Sequence, residues 1–348
     1  MKKIRLIQCG VGGFGGGWLK NHTSRSVDFE LVALVDVSSE RLVEAGVIAG
    51  IPPARQFSSL EAALEQVEAD AVLSVTPPPV HVEHARLAFA HGLHMITEKP
   101  IADTIENACE MVRLAREAGR ELVVSQQYRF TPFIQTLRDL LQNGEVGGLG
   151  HGHLDYYIPM DFTGTFRETM EFPMLLDMAI HHFDLIRCVT GLDVVKVNAH
   201  SFRPAWSWFQ HDPGLKMIME LEGGVPFSYS ADWSALGRTT SGHGDWRLQC
   251  SAGSLHLDNN RVLVERCERW GKNRSTEEPA LPAIPYTNQD ATLHAFAEAI
   301  RSGVPAEISG ADNLGSFSVI AAAMKSIREK REILLEECMP QAPALCSP

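Results

Sequence analysis

Gly10-Val11-Gly12-Gly13-Phe14-Gly15 follows directly on the apolar run Ile4–Cys9 and leads into Trp18 and Leu19. The apolar run predicts a buried strand, and the residues after the glycines predict a helix. In a Gly-x-Gly-x-x-Gly loop the first glycine allows a tight turn, the second lets the backbone approach a pyrophosphate, and the third allows close strand–helix packing. This loop therefore predicts a dinucleotide whose phosphates lie at the helix N-terminus, where free N–H groups and the helix dipole favour negative charge.

An acidic residue follows the glycine loop at the distance that a dinucleotide-binding unit requires. Asp36 ends the second apolar run, Phe29–Val35, and lies 21 residues after Gly15. A carboxylate in this position can accept hydrogen bonds from both ribose hydroxyls. It would also repel a 2′-phosphate, so the sequence favours NAD over NADP. The side chains of Ser38, Ser39 and Arg41 could line a phosphate pocket, and NADP stays an alternative.

The first 125 residues alternate short apolar runs with helical patterns, which predicts a parallel βαβ sheet. Further strands are predicted at Ala69–Thr76, His94–Thr97 and Leu122–Ser125. Ser58 and Asp103 are each followed three residues later by glutamate, which predicts capping boxes at two helix starts. Residues 1–125 are therefore predicted to form an α/β dinucleotide-binding domain.

From residue 126 onward the pattern changes to that of an α+β domain. Helices are predicted at Phe133–Leu141, Asp177–Thr190, Gln289–Ser302 and Ala311–Lys330. Strands are predicted at Gly150–Ile158, Val194–Phe202, Lys216–Glu222, Phe227–Trp233, Asp245–Ser251 and Arg261–Arg266. Consecutive strands with short turns predict a mostly antiparallel sheet. Residues 126–335 are predicted to form this second domain, and residues 336–348, which include three prolines, are predicted to fray.

Composition excludes several classes of protein. The chain has 348 residues, enough for two domains, and its 31 basic and 43 acidic residues give a net charge of −12. This acidic excess argues against nucleic acid or an anionic membrane surface as the main partner. Seven scattered cysteines without a C-x-x-C pair are typical of reduced thiols, and a cytoplasmic protein is expected. His151-Gly152-His153 has no further ligand at suitable spacing, so no metal is predicted.

Two more groups of residues follow predicted parallel strands, at the sheet edge where open α/β sheets bind ligands. Thr76-Pro77-Pro78-Pro79-Val80-His81 follows one strand and Glu98-Lys99-Pro100 follows the next. The candidate cofactor-binding residues come from this edge and the glycine loop: Gly10, Gly12, Gly13, Phe14, Gly15, Asp36, Thr76, Pro77, His81, Glu98 and Lys99.

Together with Asp177-Met178-Ala179-Ile180-His181-His182-Phe183-Asp184, these motifs resemble those of the glucose–fructose oxidoreductase/inositol dehydrogenase (Gfo/Idh/MocA) family, in the same order and over most of the chain. The resemblance implies a Rossmann domain followed by a domain with a large open sheet that often forms an oligomer interface, and hence a homodimer or homotetramer. It implies hydride exchange between a nicotinamide cofactor and a secondary alcohol or ketone of a sugar, polyol or related cyclic alcohol.

Matched residue by residue, the resemblance implies that Lys99, Asp177 and His181 are catalytic. The chemistry also requires such a set, because oxidation of an alcohol needs a base for the hydroxyl proton while hydride leaves for the nicotinamide. Histidine, with an ordinary pKa near 6.5, suits that role. Asp177 and His181 have i, i+4 spacing, which predicts one shared helix face, and Lys99 can stabilise developing alkoxide charge. His182 is predicted to be a core histidine.

Some features depart from the family pattern or stay open. Phe172-Pro173-Met174-Leu175-Leu176 stands where many family members have a glycine-rich stretch, so the substrate cannot be transferred from a relative. Four residues are pocket candidates by position, with ordinary packing as the alternative: Tyr128, Tyr156, Arg167 and Trp233. Two other functions are compatible with the resemblance, namely glycoside cleavage through transient oxidation and a non-catalytic NAD(P)-sensing regulator. Retention of all three catalytic residues argues against the regulator.

Overall fold

The computed structural model describes residues 2–340, which divide into two compact units. The first unit contains residues 2–127 and 286–314 together with residue 340, and the second contains residues 128–285 and 315–339. The first segment of the first unit ends at residue 127, two residues after the predicted domain boundary at residue 125. Residues 286–314, however, were predicted in the second domain and pack instead within the first unit.

The first unit is built on a six-stranded sheet with the order β3-β2-β1-β4-β5-β6, in which all neighbouring strands are parallel. Its strands are β1 (Ile4–Cys9), β2 (Phe29–Val35), β3 (Gln56–Phe57), β4 (Ala71–Ser74), β5 (His94–Thr97) and β6 (Leu122–Val124). Its helices include α1 (Gly13–Asn21), α2 (Ser39–Ala49), α3 (Leu60–Leu64), α4 (Pro78–Ala90) and α5 (Ile105–Ala118). The predicted α/β class is confirmed, and these strands are buried as their apolar sequences require.

Both predicted helix starts are wrong by one residue. The N-cap of α3 is Ser59, whose hydroxyl accepts from the Ala62 N–H, and that of α5 is Thr104, whose hydroxyl accepts from the Asn107 N–H. In each case two adjacent residues can cap, and the path of the loop decides which of them is in place.

The helix α8 (Asn288–Ser302) belongs to the first unit because its contacts there are both apolar and charged. The Phe296 ring stacks on Phe29 at the start of β2, with the ring centres 5.7 Å apart. Asp28 accepts from His294 at 3.0 Å and from Arg301 at 2.7 Å. These contacts join segments remote in sequence, and no local pattern predicts them.

The second unit is built on a nine-stranded sheet with the order β14-β13-β12-β11-β7-β10-β9-β8-β15. Its strands are β7 (Leu149–Tyr157), β8 (Val194–Phe202), β9 (Gly214–Leu221), β10 (Val225–Asp232), β11 (Asp245–Cys250), β12 (Gly253–Asp258), β13 (Arg261–Glu268), β14 (Lys272–Glu277) and β15 (Ile333–Leu334). Only the β7–β10 pair is parallel among the neighbouring pairs of this sheet in residues 2–340, which confirms a mostly antiparallel sheet. The sequence did not predict β12, β14 or β15.

In the part of the chain that the structure describes, three α-helices accompany this sheet: α6 (Pro132–Gln142), α7 (Ile180–Thr190) and α9 (Gly310–Glu329), whose first residues belong to the first unit. The helix predicted to begin at Asp177 begins instead with a π-helical turn, Met174–Ala179, which continues into α7. Part of the predicted frayed tail is ordered, because Leu335–Cys338 form a short 3₁₀ helix and Glu337 pairs with Arg331 at 2.6 Å. The rest of that tail, residues 341–348, lies outside the described residues. Among residues 2–340 no helix has the length and apolar character needed to cross a bilayer.

Candidate functional site

The glycine loop lies between β1 and α1 and tolerates no side chain at two of its positions. Gly10 has φ +84°, and a Cβ there would lie 2.1 Å from the Val75 carbonyl oxygen. A Cβ on Gly15 would lie 2.3 Å from the Gly10 carbonyl oxygen. Gly12 is the N-cap of α1 and provides no side-chain cap, and the first turn holds no acidic residue. The N-terminus of α1 is thus shaped to receive an anion.

A buried polar pair braces this loop. Gln8 is fully buried within β1, and its Nε2 donates to the carbonyls of Gly10 at 3.1 Å and Gly15 at 2.9 Å. Thr23 donates in turn to Gln8 Oε1 at 2.7 Å. Sequence reasoning did not select Gln8, although a glutamine inside an apolar strand was the available signal.

Asp36 is held beside the glycine loop by two backbone N–H groups. Its Oδ2 accepts from Val11 at 2.9 Å and its Oδ1 accepts from Ser38 at 2.9 Å. The Arg41 guanidinium lies against the same loop, since a Cβ added to Gly12 would be 2.4 Å from Arg41 Nη1. A fixed carboxylate and a cation therefore both border the predicted dinucleotide site.

His81 anchors the loops at the ends of β4 and β5. Its side chain is fully buried, with Nε2 2.9 Å from the Thr76 carbonyl oxygen and Nδ1 3.1 Å from the Ile101 carbonyl oxygen. Burial lowers the pKa of His81. The imidazole thus faces protein backbone, and its effect on a ligand would come through the position of the Thr76-Pro77 turn.

Glu98 is buried at the end of β5 and connects two predicted parts of the site. Its Oε1 accepts from Trp18 Nε1 on α1 at 2.8 Å, and its Oε2 accepts from the Lys99 N–H at 3.1 Å. Burial raises the pKa of Glu98 above its ordinary value. Lys99 follows directly, and the Lys99–Pro100 peptide is cis. Glu98 therefore fixes the backbone at Lys99 relative to α1.

In the second unit, Asp177 lies in the π-helical turn that precedes α7. Such turns occur often at functional sites. Phe172, just before it, has φ +52°, a backbone conformation that favours glycine. The residue in this left-handed conformation carries a buried aromatic ring.

His181 lies on α7 with its ring face covered. Its imidazole stacks on Tyr128, with the ring centres 4.4 Å apart and an interplanar angle of 17°. The other neighbour of Tyr128 is His243, also at 4.4 Å. Burial and the charge of Asp177 raise the pKa of Tyr128. Asp177, Tyr128 and His181 therefore form one cluster.

Of the other pocket candidates, Arg167 contacts this cluster, and Tyr156 and Trp233 contact each other. Arg167 makes two hydrogen bonds to the Asp177 carboxylate. Trp233 Nε1 donates to the Tyr156 hydroxyl at 3.3 Å, and both rings are buried. His182 lies in the core, as predicted, with Nδ1 2.8 Å from the Tyr229 hydroxyl and Nε2 3.2 Å from the Gly242 carbonyl oxygen.

The predicted site residues thus form two clusters, one in each unit. The first unit holds the glycine loop, Asp36, Thr76, Pro77, His81, Glu98 and Lys99 at the carboxyl ends of its strands. The second unit holds Asp177 and His181 with Tyr128 and Arg167. No group of three or more histidine, cysteine or acidic side chains in residues 2–340 is arranged to hold a metal ion.

Comparison with known proteins gives family matches to both halves. Residues 4–126 match the model described as an oxidoreductase family with an NAD-binding Rossmann fold, and residues 134–256 match the GFO/IDH/MocA C-terminal domain. D-apiose dehydrogenase of Paraburkholderia graminis is 28% identical, covering 100% of this chain and 94% of that protein. Inositol 2-dehydrogenase 1 of Paenarthrobacter aurescens is 29% identical over 64% of this chain and 65% of that protein.

The solved structures show the same fold at lower identity. An oxidoreductase from Agrobacterium radiobacter, crystallised with NAD⁺, L-tartaric acid and magnesium, superposes with a TM-score of 0.85. It is 20% identical, and the match covers 97% of this chain and 99% of that one.

Proposed function

The chain belongs to the Gfo/Idh/MocA family of oxidoreductases, and on that premise we propose that it exchanges a hydride between NAD and a secondary alcohol or ketone of a sugar, polyol or related cyclic alcohol. The observation that carries the proposal is the buried imidazole of His181, which stacks on Tyr128 in a fixed orientation and follows the Asp177 carboxylate by four residues. Such a pair suits proton transfer to and from a hydroxyl group.

Each catalytic candidate has a distinct role in this proposal. NAD, when bound at the glycine loop, supplies the hydride acceptor. His181 accepts the hydroxyl proton at an imidazole nitrogen, and Asp177 orients the substrate or the imidazole. Lys99 donates to the reacting oxygen and stabilises alkoxide charge as it develops.

The test is a screen of aldoses, inositols and ketosugars with NAD, followed at the NADH absorbance. Steady NADH production with one class of substrate is the expected result. Cleavage of a glycoside without net NADH would favour the enzyme that oxidises, eliminates and reduces within one turnover. NAD binding without turnover on a broad panel would favour a sensing protein and would contradict the proposal.

Cofactor preference gives the first testable prediction. We expect NADH to bind at least about tenfold more tightly than NADPH, because the fixed Asp36 carboxylate would repel a 2′-phosphate. An Asp36→Asn variant keeps the shape and loses the charge, and should lose most of this preference. Fluorescence titration with both cofactors measures it. Glu44→Gln, which removes an exposed acid on α2, is the control and should change neither affinity; tighter NADPH binding by the wild type would reverse the assignment.

We also propose that the protein lies in the cytoplasm. For its assembly, we propose a homodimer or homotetramer formed through the open face of the nine-stranded sheet. The support is the family resemblance together with a concavity of about 440 Å³ on this sheet, with a lining that includes His153, Asp155, Lys216 and Ser230. Light scattering on the purified chain measures the mass, and a monomer at micromolar concentration would contradict the assembly.

A further inference from the structure

Arg167 engages both oxygens of the Asp177 carboxylate. Its Nε donates to Oδ2 at 2.7 Å and its Nη2 donates to Oδ1 at 3.2 Å. The aspartate side chain is 17% exposed and the arginine side chain 30%. Two parallel N–H···O bonds from a planar guanidinium fix the plane of a carboxylate as well as its position, which one hydrogen bond does not.

Two aromatic rings pack against the Arg167 guanidinium, and one of them also contacts the buried core. The carbon of its guanidinium lies 4.6 Å from the Phe166 ring centre and 5.2 Å from that of Phe162. Phe162 packs edge-on against the buried Trp233, with the ring centres 4.9 Å apart. Contacts of this kind between a cation and an aromatic face are favourable. Arg167 is therefore positioned by packing and not only by its ion pair.

The segment that carries Arg167 is ordered by its own hydrogen bonds. Gly164 N–H donates to Glu168 Oε2 at 2.8 Å, and Thr165 N–H donates to the Phe162 carbonyl at 2.9 Å. These hydrogen bonds fix the backbone next to Arg167, from which its guanidinium extends to Asp177.

The other titratable groups near His181 in the second unit are neutral around pH 7. Burial lowers the pKa of His243 to about 4 and that of His182 to about 3. Burial also raises the pKa of Tyr156 and that of Tyr128 above the ordinary value for tyrosine.

Two further charged side chains lie on α7, Asp184 and Arg187, and each has a partner; Arg187 donates to Asp193 at 2.6 Å. Asp184 accepts two hydrogen bonds from Arg129, at 2.7 and 2.6 Å. Of the charged side chains on the π-helical turn and α7, the one that precedes His181 is therefore Asp177, and its partner is Arg167.

We propose that Arg167 is a positioning residue for the reaction, which orients the Asp177 carboxylate and balances its charge beside His181. The proposal rests on the proposed function, in which His181 is the base. With Arg167 present, the Asp177–Arg167 pair has no net charge.

The expected consequence of losing Arg167 follows from the sign of the remaining charge. An unbalanced Asp177 carboxylate favours the protonated imidazole of His181. His181 would then hold its proton to higher pH, and the acid limb of the pH–rate profile for alcohol oxidation would move upward. Loss of the two-bond geometry would in addition lower kcat at every pH.

The primary test needs no substrate. The ring resonances of His181, assigned with a His181→Asn variant, are followed by NMR through a pH titration. In Arg167→Gln the titration midpoint of His181 should move up by about one pH unit. In Arg167→Lys, which keeps the charge, it should stay near the wild-type value. In the double variant Asp177→Asn/Arg167→Gln the upward shift should disappear, because the charge that causes it is gone.

Arg328→Gln is a matched control. Arg328 pairs with Glu171 at 3.0 Å and lies 5.8 Å from the Phe172 ring centre, so it has the same kinds of contact on the same segment but away from Asp177. It should leave the His181 titration unchanged. A midpoint in Arg167→Gln equal to that of the wild type would overturn the proposal, as would an equal shift in Arg328→Gln.

Kinetics separate this proposal from the proposed function. Where a substrate has been found, Arg167→Gln should lower kcat about 10- to 100-fold, with a smaller change in KM. Arg167→Lys should recover part of the loss together with the wild-type acid limb. An unchanged kcat and acid limb in Arg167→Gln would overturn the positioning role. Absence of any wild-type turnover would count against the proposed function alone, because the NMR result does not depend on it.

Discussion

A His181→Ala variant should lose about 10²- to 10⁴-fold in kcat while binding NADH as the wild type does. The magnitude is that of general acid–base catalysis by one positioned group. His181 is 3% exposed and stacked on Tyr128, so its imidazole has a defined orientation that free buffer bases cannot reproduce. The measurement is steady-state turnover at saturating NAD on the substrate found by the screen, beside a fluorescence titration with NADH.

The control for this variant is a histidine remote from both clusters. His91 lies at the end of α4, exposed, with Nδ1 2.9 Å from the Leu87 carbonyl oxygen. His91→Ala should keep wild-type turnover. Full turnover in His181→Ala would show that another group is the base, and the proposed roles of Asp177 and Arg167 would then have to change with it.

The first unit could be predicted in detail because its signals are local. A glycine loop placed between an apolar strand and a helix, followed by Asp36, has few structural solutions. Burial of the strands on both faces makes their sequences apolar throughout, and the ends of β1, β2 and β5 were predicted at the observed residues. The packing of α8 within the first unit could not be predicted, because the contact of Phe296 with Phe29 depends on tertiary packing alone.

The site was harder to predict wherever side-chain direction matters. His81 stands at the ligand edge in sequence, yet its ring nitrogens face backbone carbonyls, and spacing does not distinguish these two outcomes. Arg167 was a candidate by position only, because its two bonds to Asp177 depend on the path of an irregular segment. The i, i+4 spacing of Asp177 and His181 was visible, but the π-helical turn that contains Asp177 was not.

The second prediction with a large expected effect concerns stability, and the residue to be changed, Asp184, lies on α7. Asp184 is 1% exposed and Arg129 is 5% exposed. Besides the two bonds from Arg129, Asp184 Oδ1 accepts from Ser316 Oγ at 3.0 Å. An Asp184→Asn variant removes the carboxylate that pairs with the buried Arg129 charge, which costs about 3–5 kcal/mol. For a unit of this size, that corresponds to a fall in Tm of roughly 6–20 °C, measured by calorimetry.

Two further variants decide what the Arg129–Asp184 pair contributes. Glu278→Gln removes one partner of the exposed Arg261–Glu278 pair, which solvent screens, and should leave Tm near the wild-type value. The double variant Arg129→Met/Asp184→Leu removes both buried charges together. Because desolvation of two ions offsets much of their attraction, it should recover most of the Tm that Asp184→Asn loses. If the double variant were as unstable as the single one, the attraction would outweigh the desolvation, and the pair would be a net source of stability beneath His181.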